Sequence, residues 1–216
     1  MIFRGKVPRT RSELIAEADR ARARGRTKKA VEAYRKALEL EPGDPVIHGK
    51  LAPLLARVKQ PEAALQSFHA AAKGHLDKGF ADKAIAVYTQ AADTFPHRVD
   101  LWQQLAQLSL AKGHRVDAVR ALLRGRFHLR HRNERRDAIL LLKEVLALDS
   151  ALLEVKLDLA LLLASEGQRA EALALLEPLT REAPGPKRAK VNWTLLRISP
   201  GLGTGWRWLR SALARH

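Results

Sequence analysis

Six alanines recur at positions 30, 64, 84, 118, 138 and 172 of the 216-residue chain, in steps of 34, 20, 34, 20 and 34. Small residues held in register at such spacing demand paired helices that cannot bury their apolar faces alone and must stack on neighbouring pairs. Apolar residues make up 46% of the chain, chiefly Ala and Leu, while aromatics reach only 5%. That mix favours helix over sheet, and no strand is expected.

Each alanine sits in a recurring pattern. The first copy reads Gly25, Ala30, Tyr34, Ala37 and Pro42, and the third reads Gly79, Ala84, Tyr88, Ala91 and Pro96. Between and beyond them fall Ala64, Phe68 and Ala71; Gly113, Ala118, Leu122 and Gly125; Ala138, Leu142 and Val145; and Gly167, Ala172 and Leu176. Glycine permits the positive φ that ends one helix, alanine lets two backbones approach, the large side chain fills the gap, and proline stops the second helix. Together with Trp102, Leu105 and Ala106 of a first helix, this constellation resembles the tetratricopeptide repeat (TPR) family over about residues 11–182. The resemblance implies an all-α, right-handed α-solenoid of TPR-like hairpins whose first helices line a concave groove for a segment of another protein.

The 20-residue steps depart from the family's usual 34. They imply that long helices near 61–78 and 115–131 serve twice, giving a unit of three helices in 54 residues; an ordinary array with two shortened copies is the alternative. Leu51, Leu105 and Leu159 keep the 54-residue spacing, as do Ala52, Ala106 and Ala160. The pattern predicts helices at 11–24, 27–40, 45–57, 61–78, 81–94, 98–112, 115–131, 134–148, 151–166, 168–182, 186–197 and 204–215. Pro53 should kink the third of these. Residues 1–10 read as a basic tail, 11–182 as the solenoid and 183–216 as a C-terminal cap ending in a basic amphipathic helix.

Net charge is +16, unevenly placed: residues 1–36 carry twelve Lys or Arg against four Asp or Glu, and 115–136 carry eight against two. Such a chain attracts acidic protein, nucleic acid or anionic lipid. No cysteine is present, so neither disulfide nor thiolate metal site can form. The N-terminus lacks a secretory pattern and no segment has spanning length, so a soluble, cytoplasmic protein is expected.

No catalytic set emerges, and neither enzyme activity, metal nor cofactor is expected. His128 and His131, at i, i+3 on one helix, are ringed by Arg124, Arg126, Arg130 and Arg132, which would repel a divalent cation. Gly201-Leu-Gly-Thr-Gly205 fits no phosphate-binding spacing and reads as a hinge before the last helix. The lysine and asparagine clamp that a chaperone-binding TPR subclass closes on a terminal carboxylate is missing. The expected groove offers Asp100, Gln103, Gln104 and Gln107 beside Leu157 and Leu161, suited to a partly apolar segment.

Three surfaces stay open between solvated and functional readings. Arg20, Arg24 and Lys28 share i, i+4 spacing in the densest basic run. Arg120 and Arg124 lie on the outer arc of their helix, whereas Arg126 and Arg130 project near the stripe of Val119, Leu122 and Leu123, where each must be paired, snorkel or meet a partner. In the last helix Trp206, Leu209, Ala212 and Leu213 form one face and Trp208 points off it, which suits either a cap on the solenoid or contact with anionic lipid or another protein. The function expected is a protein-binding scaffold or adaptor; the alternative is a basic helical repeat that binds nucleic acid or an anionic membrane. The sequence specifies no oligomeric state.

Overall fold

The computed structural model describes residues 10–213 as twelve α-helices and one short 3-10 turn, with no strand among the described residues. Of the basic tail expected over residues 1–10, all but Thr10 lies outside the described residues, as do the final residues including Arg215. The chain divides at Ser109/Leu110 into two compact units. The first holds α1 (Arg11–Ala23), α2 (Thr27–Leu40), α3 (Pro45–Arg57), α4 (Pro61–Asp77), α5 (Ala81–Thr94) and most of α6 (Val99–Ala111). In the second are α7 (Arg115–His128), α8 (Arg135–Leu148), α9 (Leu153–Ser165), α10 (Arg169–Glu182), α11 (Gly185–Ile198) and α12 (Leu202–Leu213).

Local chemistry sets the helix ends. Thr10 and Glu13 form a reciprocal capping box at the start of α1, with bonds of 2.9 and 3.3 Å. Asp44, buried and paired with Arg11, accepts from the amides of Val46 and Ile47 to cap α3, and Pro45 and Pro61 stand at first-turn positions. Gly25, Gly79, Gly113 and Gly167 take φ between +70° and +83° in the turns that reverse the chain.

All six spaced alanines are fully buried, at 0% exposure. Beside them Tyr34, Phe68, Leu122, Leu142 and Leu176 are buried as gap fillers, and so are all members of the 54-residue series at Leu51, Leu105, Leu159, Ala52, Ala106 and Ala160. In the first unit α4, the longest helix, packs on both α3 and α5, while α3 also touches α5. The second unit repeats this with α10 between α9 and α11. The fold thus consists of TPR-like helical hairpins; of the two helices expected to serve twice, α4 packs on both of its sequence neighbours, whereas α7 packs on α8.

Three local expectations are corrected. The helix predicted to reach residue 131 ends at His128, because the amide of Leu129 turns back to the Arg126 carbonyl, and a 3-10 turn at Arg132–Glu134 leads into α8. His131 therefore stands outside α7 and shares no helical face with His128. Gly203 and Gly205 are not a hinge but belong to the first turn of α12, where the Thr204 hydroxyl donates to the carbonyls of Ser199 and Gly201 at 2.9 Å.

Candidate partner-binding surfaces

On α6 the first unit carries Asp100, Gln103, Gln104 and Gln107, with Gln104 and Gln107 exposed. Arg98 grips Asp100 through Nε and Nη2, each 2.9 Å from a carboxylate oxygen. That bidentate bond holds the Asp100 carboxyl below its ordinary range. Beneath lies Tyr88, whose phenol is pushed up by burial and by the Asp100 charge and whose hydroxyl is 3.3 Å from His69 Nδ1. Leu157 and Leu161 belong to α9 in the second unit, where Leu157 is only 7% exposed and Leu161 half-buried. The six expected groove residues are thus divided between the two units.

A polar network that sequence reasoning missed joins α1, α2 and α3. Tyr34 donates to Asp19 Oδ1 at 2.5 Å, and Lys50 Nζ lies 3.1 and 2.8 Å from the two oxygens of the same carboxylate. Burial pushes the Asp19 carboxyl up, but the Lys50 and Tyr34 hydrogen bonds outweigh it and leave the pKa lowered. The signal was an aspartate on a first helix facing a tyrosine that also had to fill the hairpin gap. Lys50, on a third helix, had no local mark.

The basic residues separate into different environments. Arg20, Arg24 and Lys28 are exposed, but they do not share a helix face as their spacing suggested, because α1 ends at Ala23 and Gly25 reverses the chain before α2. Instead the turns after α1 and α3 bring Arg26, Lys28, Lys29, Arg57 and Lys59 around one cleft. Within it Lys29 lies 3.3 Å from Glu17. In the second unit Arg120 pairs with Asp117, Arg124 is exposed, and Arg126 is held by Asp158 at 2.9 Å and by the Leu129 carbonyl at 3.2 Å. Arg130 bonds the Phe127 carbonyl at 3.0 Å and covers the exposed Phe127 ring at 4.1 Å. Of the two readings for Arg126, intramolecular pairing is the one realised.

On α12 the packed and exposed faces are the reverse of a simple cap. Trp208 packs against Trp193 of α11 with ring centroids 5.2 Å apart and the rings tilted by 46°, and Asn192 of α11 donates to Ser211 Oγ at 3.1 Å. Trp206, Leu209 and Leu213, which form the apolar face in sequence, stay exposed. The helix does dock on its neighbour, but through the side that carries Trp208.

Residues 10–132 match the family model described as the bacterial transcriptional activator domain. No curated protein matches the chain in sequence. Among solved structures, a MamA protein is 14% identical, with 89% of this chain and 97% of that one covered at a TM-score of 0.33. YrrB, described as a TPR protein with an unusual peptide-binding site, is 15% identical, with coverage of 95% and 87% and a TM-score of 0.33. A thermophilic TPR protein of Thermus thermophilus, TTC0263, is 20% identical, with coverage of 87% and 100% and a TM-score of 0.28.

Proposed function

The chain belongs to the bacterial transcriptional activator domain family across residues 10–132, and from that membership we propose that it is a non-enzymatic scaffold holding a segment of another protein. The observation that carries the reading is on α6. Its buried residues, Leu101, Trp102, Leu105 and Ala106, are spent on packing, while Gln104 and Gln107 lie exposed near a carboxylate already fixed by Arg98. Amide side chains both donate and accept, so a pair one helical turn apart suits the backbone of an extended segment.

A photocrosslinking residue placed at 104 or 107 and expressed in the native cell tests this. The expected result is a discrete protein adduct at both sites and none at Lys36, which is exposed on α2. Equal labelling at all three positions would remove the proposal.

A second reading, contact with nucleic acid, is favoured by the cleft of Arg26, Lys28, Lys29, Arg57 and Lys59. Binding of that kind falls steeply with salt, because each phosphate contact releases a counterion. A mobility-shift salt series with a short duplex separates the two: groove binding of a protein segment weakens only modestly over the same range.

A further inference from the structure

The last helix leaves its most apolar stripe uncovered. Leu202, Trp206, Leu209 and Leu213 are 97%, 60%, 41% and 69% exposed, and at about 100° per residue they fall within roughly 60° of one another around α12. The side occupied by Trp208 and Ser211 is already committed to α11. A contiguous stripe of indole and leucine in water marks an interaction surface.

The charges around the stripe select its occupant. After Glu182 the sequence contains seven Lys or Arg and no Asp or Glu. Arg210 sits over the Trp206 ring at 5.8 Å, and Arg207 is exposed farther round the same helix. A second copy docked here would set cations against cations. Residues 1–9, which carry Arg4, Lys6 and Arg9 and no acid, would be repelled in the same way. An anionic bilayer surface satisfies every group: leucine and indole enter the boundary between headgroups and acyl chains, guanidinium groups meet phosphates, and no complementary groove is needed. At twelve residues, α12 is about 18 Å long and too short to cross a bilayer. We propose that α12 lies in the plane of an anionic membrane surface, with the stripe of Leu202, Trp206, Leu209 and Leu213 immersed, and so holds the protein at that surface.

The test uses the full chain and vesicles of phosphatidylglycerol and phosphatidylcholine, with pure phosphatidylcholine as the neutral control. A chain of net charge +16 adheres to anionic vesicles by charge alone, so the stripe must be separated from bulk attraction. Replacing Trp206→Asp and Leu209→Asp together should lower partitioning about tenfold or more, with the circular dichroism spectrum unchanged because both sites are exposed. Replacing Arg20→Ala, Arg24→Ala and Lys28→Ala together should lower it less. A readout independent of the aspartate pair's folding is tryptophan quenching by lipids spin-labelled at shallow depth. The parent is quenched on binding, and Trp206→Phe, which keeps the stripe apolar, removes most of that quenching. Absence of vesicle binding, as expected if the stripe serves an acidic protein instead, overturns the proposal. So does equal partitioning of a folded aspartate pair and the parent, or quenching that survives Trp206→Phe.

Discussion

Lys59 adopts φ +60° in a turn that Gly25, Gly79, Gly113 and Gly167 make at φ +70° to +83°. The hydrogen bonds match: the amide of Lys59 reaches Ala56 and that of Gln60 reaches Leu55, as Gly167 reaches Ala164 and Gln168 reaches Leu163. A side chain in this left-handed region costs energy that glycine does not pay. Lys59→Gly should therefore raise stability by about 0.5–1 kcal/mol and Gly113→Ala should lower it by a similar amount, both read from urea midpoints. The titrating residues of the first unit give a second test at this scale. The chain has two tyrosines, and both phenols are pushed up: Tyr34 by burial and by its bond to Asp19, Tyr88 by burial and by Asp100. A raised folded pKa means stability that is full below the unfolded value, near 10, and lost as pH rises through the folded one. Absorbance at about 295 nm should show no phenolate step through pH ~10 in the folded protein and a full step in denaturant. Asp19 and Asp100 are shifted the other way. Their contribution is present above about pH 4 and lost as pH falls through their lowered values, so acid unfolding should begin earlier in Lys50→Met than in the parent.

Helices α3 and α4 show how close approach is encoded in an element. A Cβ on Gly74 would meet the ring of Pro45 at 3.0 Å, whereas one on Gly49 would find nothing nearer than 3.9 Å. Both glycines lie inside helices, where alanine is favoured by about 0.8–1 kcal/mol. Gly49→Ala should realise most of that gain, while Gly74→Ala should lose it against the proline, which is fixed in the first turn of α3. The spaced alanines follow the same logic. Ala84→Leu or Ala118→Leu should cost roughly 1–3 kcal/mol, whereas Ala86→Leu, at an exposed position of α5, should be near neutral; thermal unfolding of the three variants decides. Such interfaces were legible in sequence because glycine, alanine and proline mark turns and contacts through local sterics. Three predicted helices, at 27–40, 45–57 and 81–94, have the observed bounds. The choice of packed face on α12 was not legible, since it depends on what α11 offers. Trp193 and Asn192 accept Trp208 and Ser211, and the stripe that is more apolar in isolation is left outside. That Arg126 must be paired was legible, but its carboxylate partner was not, because Asp158 lies 32 residues away on another helix.

Within each unit, stacked hairpins touch mainly their sequence neighbours, so order is maintained by nearest-neighbour interfaces. Disturbance should spread as those contacts do. Ala30 is fully buried in α2, which packs on α1 and α3. Ala30→Leu is expected to reduce amide protection in α1, α2 and α3, less in α4, weakly in α5, and not at all in α9, α10 or α11; Ala172→Leu should instead act on α9, α10 and α11. Hydrogen exchange read by mass spectrometry follows each helix separately. Uniform loss of protection throughout the chain in either variant would contradict a fold built from neighbour contacts, since a single cooperative core shares the cost of one overpacked site among all its elements.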